Sequence, residues 1–332
     1  GSKRLNTIKQ EKLNNQAANL DVETSENSIQ ESIAQIYIQI LYAAESVKVN
    51  ENTLQVSIAQ RDRGQELLNA GSIAKSDLAQ LEAQVSTDRY QLVTAQATLQ
   101  DYKLQLKQLL ELDGENEMNV YLPALSDENV LLPLPTKKDV YMSALTLRPE
   151  IEASKLSVEA SELGIDIAKA GYLPTISLSA GIGTNHTSGS DFTFGEQVKN
   201  GWNNSIGVSV SVPIFNNRQT KSAVQKAKLQ RETSLLSLLD EQKTLYKTIE
   251  GLWLDANSAQ QRYAAANEKL RSTQISYDLI SEQFNLGMKN TVELLTEKNN
   301  LLQAQQEQLQ AKYMAILNTQ LLKFYQGDKL AL

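Results

Sequence analysis

The sequence predicts a mainly α-helical fold of long antiparallel helical hairpins with coiled-coil packing, present in two copies, with one β-hairpin between them. Three observations predict it. The composition favours helices, since Gln, Ala, Leu, Lys and Glu are frequent while only 15 Gly and 6 Pro occur in 332 residues. A long segment of the chain is repeated, and a short stretch between the copies alternates apolar with small polar residues.

The composition also excludes several classes of site. There is no Cys and one His, His186, so neither a disulfide framework nor a metal site with Cys or several His ligands can form within one chain. The net charge is −7 and no five like charges follow one another, which argues against a nucleic-acid surface. No apolar stretch reaches the ~18 residues of a transmembrane helix, although membrane-spanning β-strands leave a weaker pattern.

The repeat covers most of the chain. The segment LNAG at 68–71 matches FNLG at 284–287, a shift of 216 positions (287 minus 71). The same shift aligns residues 3–112 approximately with residues 219–328. Each copy has the pattern of a long helix, a turn that contains Gly and a shorter helix.

The turn and the start of the second helix can be predicted in detail. Gly71 and Gly287 can adopt positive φ and so end the first helix of each copy. The segment NTVE at 290–293 has the pattern of a capping box, and Asp77 takes the place of Glu293 in the first copy. Both acids suit the positive end of a helix dipole, so helix capping alone is an alternative explanation for each of them.

The returning helices carry apolar residues at intervals of seven, the spacing of a left-handed coiled coil. The rows are Leu78, Val85, Leu92, Leu99 and Leu106 in the first copy, and Leu294, Leu301 and Leu322 in the second. This stripe alone is equally typical of a soluble coiled-coil protein.

Between the copies the apolar period changes to two. Apolar residues alternate with Thr, Ser and Gly over 175–183 and, after a polar loop, over 205–212. Each run has the length of a tilted strand that crosses a bilayer, ~9–11 residues, and Tyr172, Trp202 and Phe215 flank the runs as interfacial aromatics do. Two strands leave open edges, so further strands must close the sheet. A water-soluble hairpin packed on helices is the alternative.

The beginning of the chain fits the same duplication. Gly1 and Ser2 are typical of residues left by an expression vector. The β-hairpin ends near Asn217, and 216 positions earlier is residue 1, so the chain begins where a matching hairpin would end. We therefore expect another helix and hairpin upstream in the natural protein, giving four strands per subunit.

Several segments together resemble the TolC-like outer membrane factor family, also called outer membrane efflux proteins. LRPEI at 147–151 is similar to the family's RPE/RPD motif. AGYLPTISL at 170–178 and VPIFNNR at 212–218 resemble the entry to and exit from its second β-hairpin. The glycine turns described above resemble its two periplasmic tips, so the resemblance extends over nearly the whole chain.

The resemblance implies a homotrimer in the outer membrane of a Gram-negative cell. Each family member gives four strands to a shared 12-stranded barrel and four helical strands to a tunnel in the periplasm. It is a passive exit duct for drugs, small molecules or proteins, in tripartite efflux or type I secretion, and works with a periplasmic adaptor (membrane fusion protein) and an inner-membrane pump. No enzyme activity, cofactor, metal or nucleic acid is implied. Three copies of this chain would supply only six strands.

With these assignments the chain divides into five segments. The connector contains four of the six prolines and should hold one short helix near Lys137–Leu147. The segments are the first helical hairpin (3–112), the equatorial connector (113–149), the helix leading to the barrel (150–171), the β-hairpin (172–217) and the second helical hairpin (218–328).

The resemblance also implies site residues at the tips. In the family an aromatic residue, a basic residue and an acid form a latch, and here these positions are Phe284, Lys289 and Asp77. Phe replaces the usual Tyr and Lys replaces the usual Arg, which predicts a weaker latch. Glu293 occupies the position of an acidic ring that faces the pore, so the resemblance implies a cation-attracting entrance.

The adaptor is expected to contact the same tips through Leu68, Gly71, Phe284 and Gly287, with simple turn packing as the alternative role. Two other functions fit the sequence less well. A soluble periplasmic adaptor would need β-domains at both ends, and none is visible. An enzyme would need a clustered site, but the segment at 181–183 lacks the third Gly of a phosphate loop and His186 lies in a polar loop.

Overall fold

The computed structural model describes residues 2–113, 118–123, 127 and 130–330. It confirms the predicted fold class. The helices are α1 (Ser2–Asn69), α2 (Lys75–Leu109), α3 (Lys137–Leu147), α4 (Pro149–Lys169), α5 (Phe194–Asn200), α6 (Gln219–Asn285) and α7 (Thr291–Gln326). The strands are β1 (Thr175–Gly183) and β2 (Asn203–Ser211), and a 3₁₀ turn at Ala170–Tyr172 precedes β1.

The described residues form two compact units. One contains the chain up to Asp21 together with Pro149–Glu241, and the other contains Val22–Arg148 together with the chain from Gln242 onward. The unit boundaries fall inside α1 and α6 and between α3 and α4. The five-segment division of the sequence remains a prediction beside this one.

The first unit contains the β-hairpin. β1 and β2 are antiparallel, with Thr175 opposite Ser211 and Gly183 opposite Asn203. This register places the apolar side chains of both strands on one face, because Leu178 lies opposite Val208. Every residue of the two strands except Gly183 is exposed. The predicted alternation is therefore real, and β2 begins two residues before the predicted run.

The segment between the strands, predicted from the sequence to be a polar loop, contains α5. The Thr193 backbone N–H donates to the Glu196 carboxylate over 2.9 Å, which caps the first turn of this short helix. His186 lies in the same segment and is exposed, with its ring 5.2 Å from that of Phe194 in an edge-on contact.

Helix α4 is bonded to both long helices of the first unit. Gln10 Nε2 on α1 donates to the Ala160 carbonyl over 2.8 Å, and Arg231 Nε on α6 donates to Glu162 over 2.9 Å. The Thr220 hydroxyl donates to the Gly171 carbonyl over 3.3 Å, beside the entry to β1. These contacts hold the two ends of the hairpin near each other.

The second unit contains the coiled-coil packing. Most of the predicted heptad rows are buried: Leu78, Val85, Leu106, Leu294, Leu301 and Leu322. Leu92 and Leu99, in the middle of α2, are only half-buried. A second core joins α1 to α7 through Ile38, Leu41, Tyr313 and Leu317, and burial raises the pKa of the Tyr313 hydroxyl to about 12.

The connector is bound to the long helices by polar contacts. Helix α3 occupies the predicted segment. Trp253 Nε1 on α6 donates to the Pro135 carbonyl over 3.0 Å, and Lys137 pairs with Glu250 while its Nζ lies 4.6 Å from the Trp253 ring centre. Helix α3 also packs against α7, and Arg148, directly after α3, is buried.

Candidate gate at the helical tips

Two turns of the same geometry form the tips. Gly71 has φ of 75° and Gly287 has φ of 74°, as the sequence predicts for residues that end a helix. In the first turn Ser72 N–H donates to the Leu67 carbonyl over 2.8 Å, and in the second Met288 N–H donates to the Gln283 carbonyl over 2.8 Å. This is the Schellman arrangement, in which a left-handed glycine satisfies the last carbonyl groups of the helix.

The helices that follow the turns are capped differently. The Asn290 side chain accepts from Glu293 N–H over 2.9 Å, and Asn290 N–H donates to the Glu293 carboxylate over 3.2 Å, which completes the predicted capping box. In the first copy Ala74 N–H donates to Asp77 over 3.0 Å, but Ala74 has no side-chain acceptor to offer in return. The start of α2 therefore has one of the two capping hydrogen bonds that the start of α7 has.

An apolar cluster joins all four helices next to the turns. We call it the tip cluster, and its buried members are Leu67 on α1, Leu81 on α2, Phe284 on α6 and Leu294 on α7. Ile73, Tyr277 and Leu295 pack around it. Phe284 is 1% exposed, so the structure places the predicted latch aromatic in the core of the tip.

The predicted charged residues are only partly brought together. Lys289 Nζ donates to the Glu293 carboxylate over 2.6 Å, one turn along the same tip. Asp77 is half-buried and accepts from Ala74, and within the described residues no ion pair joins it to Lys289. The three-residue latch therefore stays a prediction.

The position of Glu293 favours its charged form. The hydrogen bond from Lys289 lowers the pKa of the Glu293 carboxyl, and the backbone N–H of Asn290 contributes in the same direction. The carboxylate also lies in the first turn of α7, where the helix dipole favours a negative charge. These interactions therefore favour the ionised carboxylate.

The predicted adaptor contacts lie at the surface of the turns. Leu68 is half-buried, whereas Gly71 and Gly287 are exposed, and a Cβ atom added to either glycine would have no other atom within 4 Å. Sequence reasoning missed three exposed apolar neighbours at the second turn: Leu286, Met288 and Val292. The signal available for two of them was that Leu286 and Met288 directly flank Gly287, in a turn where side chains tend to lie at the surface.

A metal site would need several ligands brought together. In the part of the chain that the structure describes, no cluster of three or more His, Asp or Glu side chains is placed to hold a metal ion. None of the helices described has a segment that is both long and apolar enough to cross a bilayer.

Comparison with known proteins gives a consistent family signal. The family model described as "Outer membrane efflux protein" matches residues 140–327. The chain is 25% identical over 294 residues to "Outer membrane efflux protein BepC" of Brucella suis biovar 1 (strain 1330), covering 88% of this chain and 61% of that protein. It is also 25% identical over 311 residues to "Outer membrane protein TolC" of Escherichia coli (strain K12), covering 89% and 60%.

The fold agrees with a solved channel structure. The crystal structure of the Campylobacter jejuni CmeC outer membrane channel superposes with a TM-score of 0.80 at 20% identity, covering 99% of this chain and 69% of that one. The chain spans about 60% of the length of the curated relatives it matches.

Proposed function

Because the chain belongs to the outer membrane efflux protein family, we propose that it is the larger part of a channel subunit in the outer membrane. The full-length protein would serve as a passive exit duct through the outer membrane and the periplasm, in a tripartite efflux or type I secretion system. The substrate could be a small molecule or a protein. The observation that carries this proposal is the exposed β-hairpin, which has one apolar face and lies in the sequence between two long helical hairpins.

The two faces of the hairpin suit two different surroundings. Ile176, Leu178, Ile206 and Val208 are exposed on one face and would contact lipid. Ser177, Ser179 and Ser209 form the other face with glycines, and small polar side chains suit a wide aqueous lumen. Each strand has nine residues, enough to cross a bilayer when tilted.

The open strand edges support assembly with further strands. A sheet in lipid must have every backbone N–H and C=O group paired, so it has to close into a barrel. In the described residues β1 pairs only with β2, which leaves one edge of each strand for other partners. These partners would be strands from the rest of the natural protein and from two further copies of the subunit.

The helical tips are the proposed contact with a periplasmic adaptor, which would in turn connect the duct to an inner-membrane pump. Leu68, Gly71 and Gly287 stay the predicted contacts. The exposed apolar neighbours Leu286 and Met288 support this proposal, because adjacent exposed apolar side chains mark surfaces that bind other proteins.

The lipid-facing assignment can be tested with a matched pair of substitutions. Val208→Arg places a charge on the apolar face, near the middle of β2, and Ser209→Arg places the same charge on the opposite face. In the full-length protein we expect Val208→Arg to destabilise the inserted trimer by about 2–4 kcal/mol, because arginine at the bilayer midplane is costly. Ser209→Arg should insert normally and alter the conductance.

The measurement is trimer yield in outer-membrane fractions, followed by conductance in planar bilayers. Equal insertion of the two variants would contradict the assignment of the faces. A full-length protein that stays in the aqueous fraction without detergent would contradict the channel proposal itself and favour a soluble coiled-coil adaptor.

Glu293 is proposed to line the entrance. Glu293→Gln removes the charge but keeps a side chain that can accept from Asn290 N–H, so the cap of α7 is preserved. Because Lys289 then loses its anionic partner, we expect the trimer to lose cation selectivity and shift toward anions. The reversal potential in a salt gradient measures this shift.

The control is Glu268→Gln, which removes an acid from an exposed pair on α6. We expect no change in its reversal potential. An unchanged cation selectivity in Glu293→Gln would show that this carboxylate does not face the passage.

A further inference from the structure

Three polar side chains from three helices meet in the interior of the second unit. They are Ser57 on α1, Asp88 on α2 and Lys298 on α7, and they are 2%, 2% and 3% exposed. Lys298 Nζ donates to both the Asp88 carboxylate and the Ser57 hydroxyl, and that hydroxyl donates to the same carboxylate. Gln84 Nε2 donates to the second carboxylate oxygen over 2.9 Å. We call this group the Lys298 cluster.

Burying the Lys298 cluster has a cost in free energy, because its charges lose contact with water. Burial removes water from both charges, and it lowers the pKa of the Lys298 ammonium although Asp88 opposes that effect. Well-packed apolar residues at such a position are often as stable as a buried ion pair, or more so. Val85 and Leu301, one turn away on α2 and α7, are buried apolar residues of that kind. A gain in folding stability therefore does not explain why polar residues occupy these buried positions.

The position of the Lys298 cluster suggests a role for its polar residues in connecting the two helical hairpins. It lies one to two turns beyond the tip cluster, since Lys298 follows Leu294 by four residues and Asp88 follows Leu81 by seven. Lys298 connects α7 to both helices of the first hairpin. A further bond, from Gln60 Nε2 on α1 to the Tyr277 hydroxyl on α6 over 2.8 Å, joins the same two hairpins nearby.

A polar layer behaves differently from an apolar layer when two helices separate. An apolar layer loses its burial and exposes hydrocarbon to water, which is unfavourable. A buried ion pair loses its partner but regains the hydration of both charges, which offsets part of the loss. A polar layer therefore fixes one closed arrangement, because its bonds are directional, and also keeps the separated arrangement accessible.

We propose that the Lys298 cluster is a reversible clamp inside each subunit, which holds α7 against α1 and α2 and must open before the α6–α7 hairpin can move away from the α1–α2 hairpin. The clamp is independent of the predicted tip latch of Asp77, Phe284 and Lys289. The clamp itself is inferred from the geometry of a single chain. A role for the clamp in opening and closing the channel rests on the proposed function.

Two variants are expected to change the clamp in opposite directions. Asp88→Asn keeps the shape of the side chain but removes the charge that compensates Lys298, so the closed arrangement is weakened. The triple variant Ser57→Ala/Asp88→Leu/Lys298→Met replaces the whole cluster with apolar groups, so the layer stays closed and no longer gains hydration on opening. A residue that merely packs would not give effects of opposite sign.

The movement can be measured by the distance between two spin labels. The chain has no Cys, so Gln80→Cys on α2 and Thr296→Cys on α7, both exposed, provide specific attachment sites. Double electron–electron resonance on the full-length protein, with labelled subunits diluted in unlabelled ones so that a trimer carries one labelled pair, should give one narrow distribution for the parent. Asp88→Asn should add a longer component, raising the separated fraction roughly tenfold or more, and the triple variant should show the narrow distribution alone.

Other outcomes overturn the clamp. A parent-like distribution in a folded Asp88→Asn protein would do so, and so would equal broadening in the triple variant. If Asp88→Asn does not fold, Ser57→Ala replaces it, since it leaves the ion pair and removes only the bridging hydroxyl. Its distribution should broaden to a smaller extent, and an unchanged one would contradict the clamp.

Channel recordings separate this proposal from the proposed function. With full-length trimers in planar bilayers, Asp88→Asn should raise the mean conductance and the triple variant should lower it. A change in the distances without a change in the conductance would leave the clamp standing and reject its use in gating. Absence of any conductance in the parent would reject the channel, while the distance measurement would still decide the clamp.

Discussion

Replacing Phe284 with Ala is expected to lower the free energy of unfolding by about 3–5 kcal/mol. The ring is 1% exposed and packs with Leu67, Leu81 and Leu294, so it contacts all four helices at the tips. Removing it leaves a cavity that no single helix can fill by a small shift, since each is held by its neighbours. Urea denaturation followed by circular dichroism at 222 nm measures the change.

The control lies two residues along the chain. Leu286 is also a large apolar residue at the second tip, but it is 69% exposed, so Leu286→Ala should change the free energy of unfolding by less than about 0.5 kcal/mol. The comparison separates two roles of the aromatic. A latch residue with no structural role would raise the conductance with little loss of stability, and that result would contradict the core assignment.

Replacing Arg148 with Ala is expected to cost about 3 kcal/mol. The guanidinium is nearly buried, and both terminal nitrogens lie 3.4 Å from the same carboxylate oxygen of Glu31. Its central carbon is 4.3 Å from the ring centre of Tyr325 and 5.7 Å from that of Phe324. The substitution removes a planar cation stacked on aromatic rings and weakens the charge balance around Glu31.

Two further variants test the cause of this loss. Arg148→Lys keeps the charge but not the planar group, so we expect it to recover less than half of the stability lost in Arg148→Ala. Arg271→Ala breaks an ion pair whose side chains are 72% and 68% exposed, and it should cost less than about 0.5 kcal/mol. A full recovery by Lys would show that charge alone matters at Arg148.

The parts of the fold that could be predicted are those set by local sequence. The glycine turns and the Asn290 cap involve residues within a few positions of one another, so their chemistry is visible in the sequence. The hairpin was predictable because its alternation is regular over both strands. Helix α5 was overlooked although Thr193 and Glu196 have the spacing of a capping box.

The candidate site was predictable only in part, because its side-chain contacts depend on tertiary packing. The family resemblance located the tip residues, but it could not show that Phe284 enters the core or that Lys289 pairs with Glu293. In the Lys298 cluster, Ser57 and Asp88 are separated by 31 positions in the sequence, and Asp88 and Lys298 by 210. No local pattern predicts contacts over such separations. A hint existed, because Lys298 comes four residues after Leu294 and three before Leu301, which places it on the buried face of α7.

The exposure of both faces of the β-hairpin has a consequence for how the protein is made. Within the part of the chain that the structure describes, every residue of the two strands except Gly183 is exposed, and a hairpin of this kind is marginally stable in water. The long helices have apolar cores that contain no residue of the hairpin, so the hairpin is not needed to bury them. In the proposed channel, the strands would acquire lasting order only on contact with lipid and with the other subunits. A newly exported chain would then need a chaperone that shields its apolar side chains until that point.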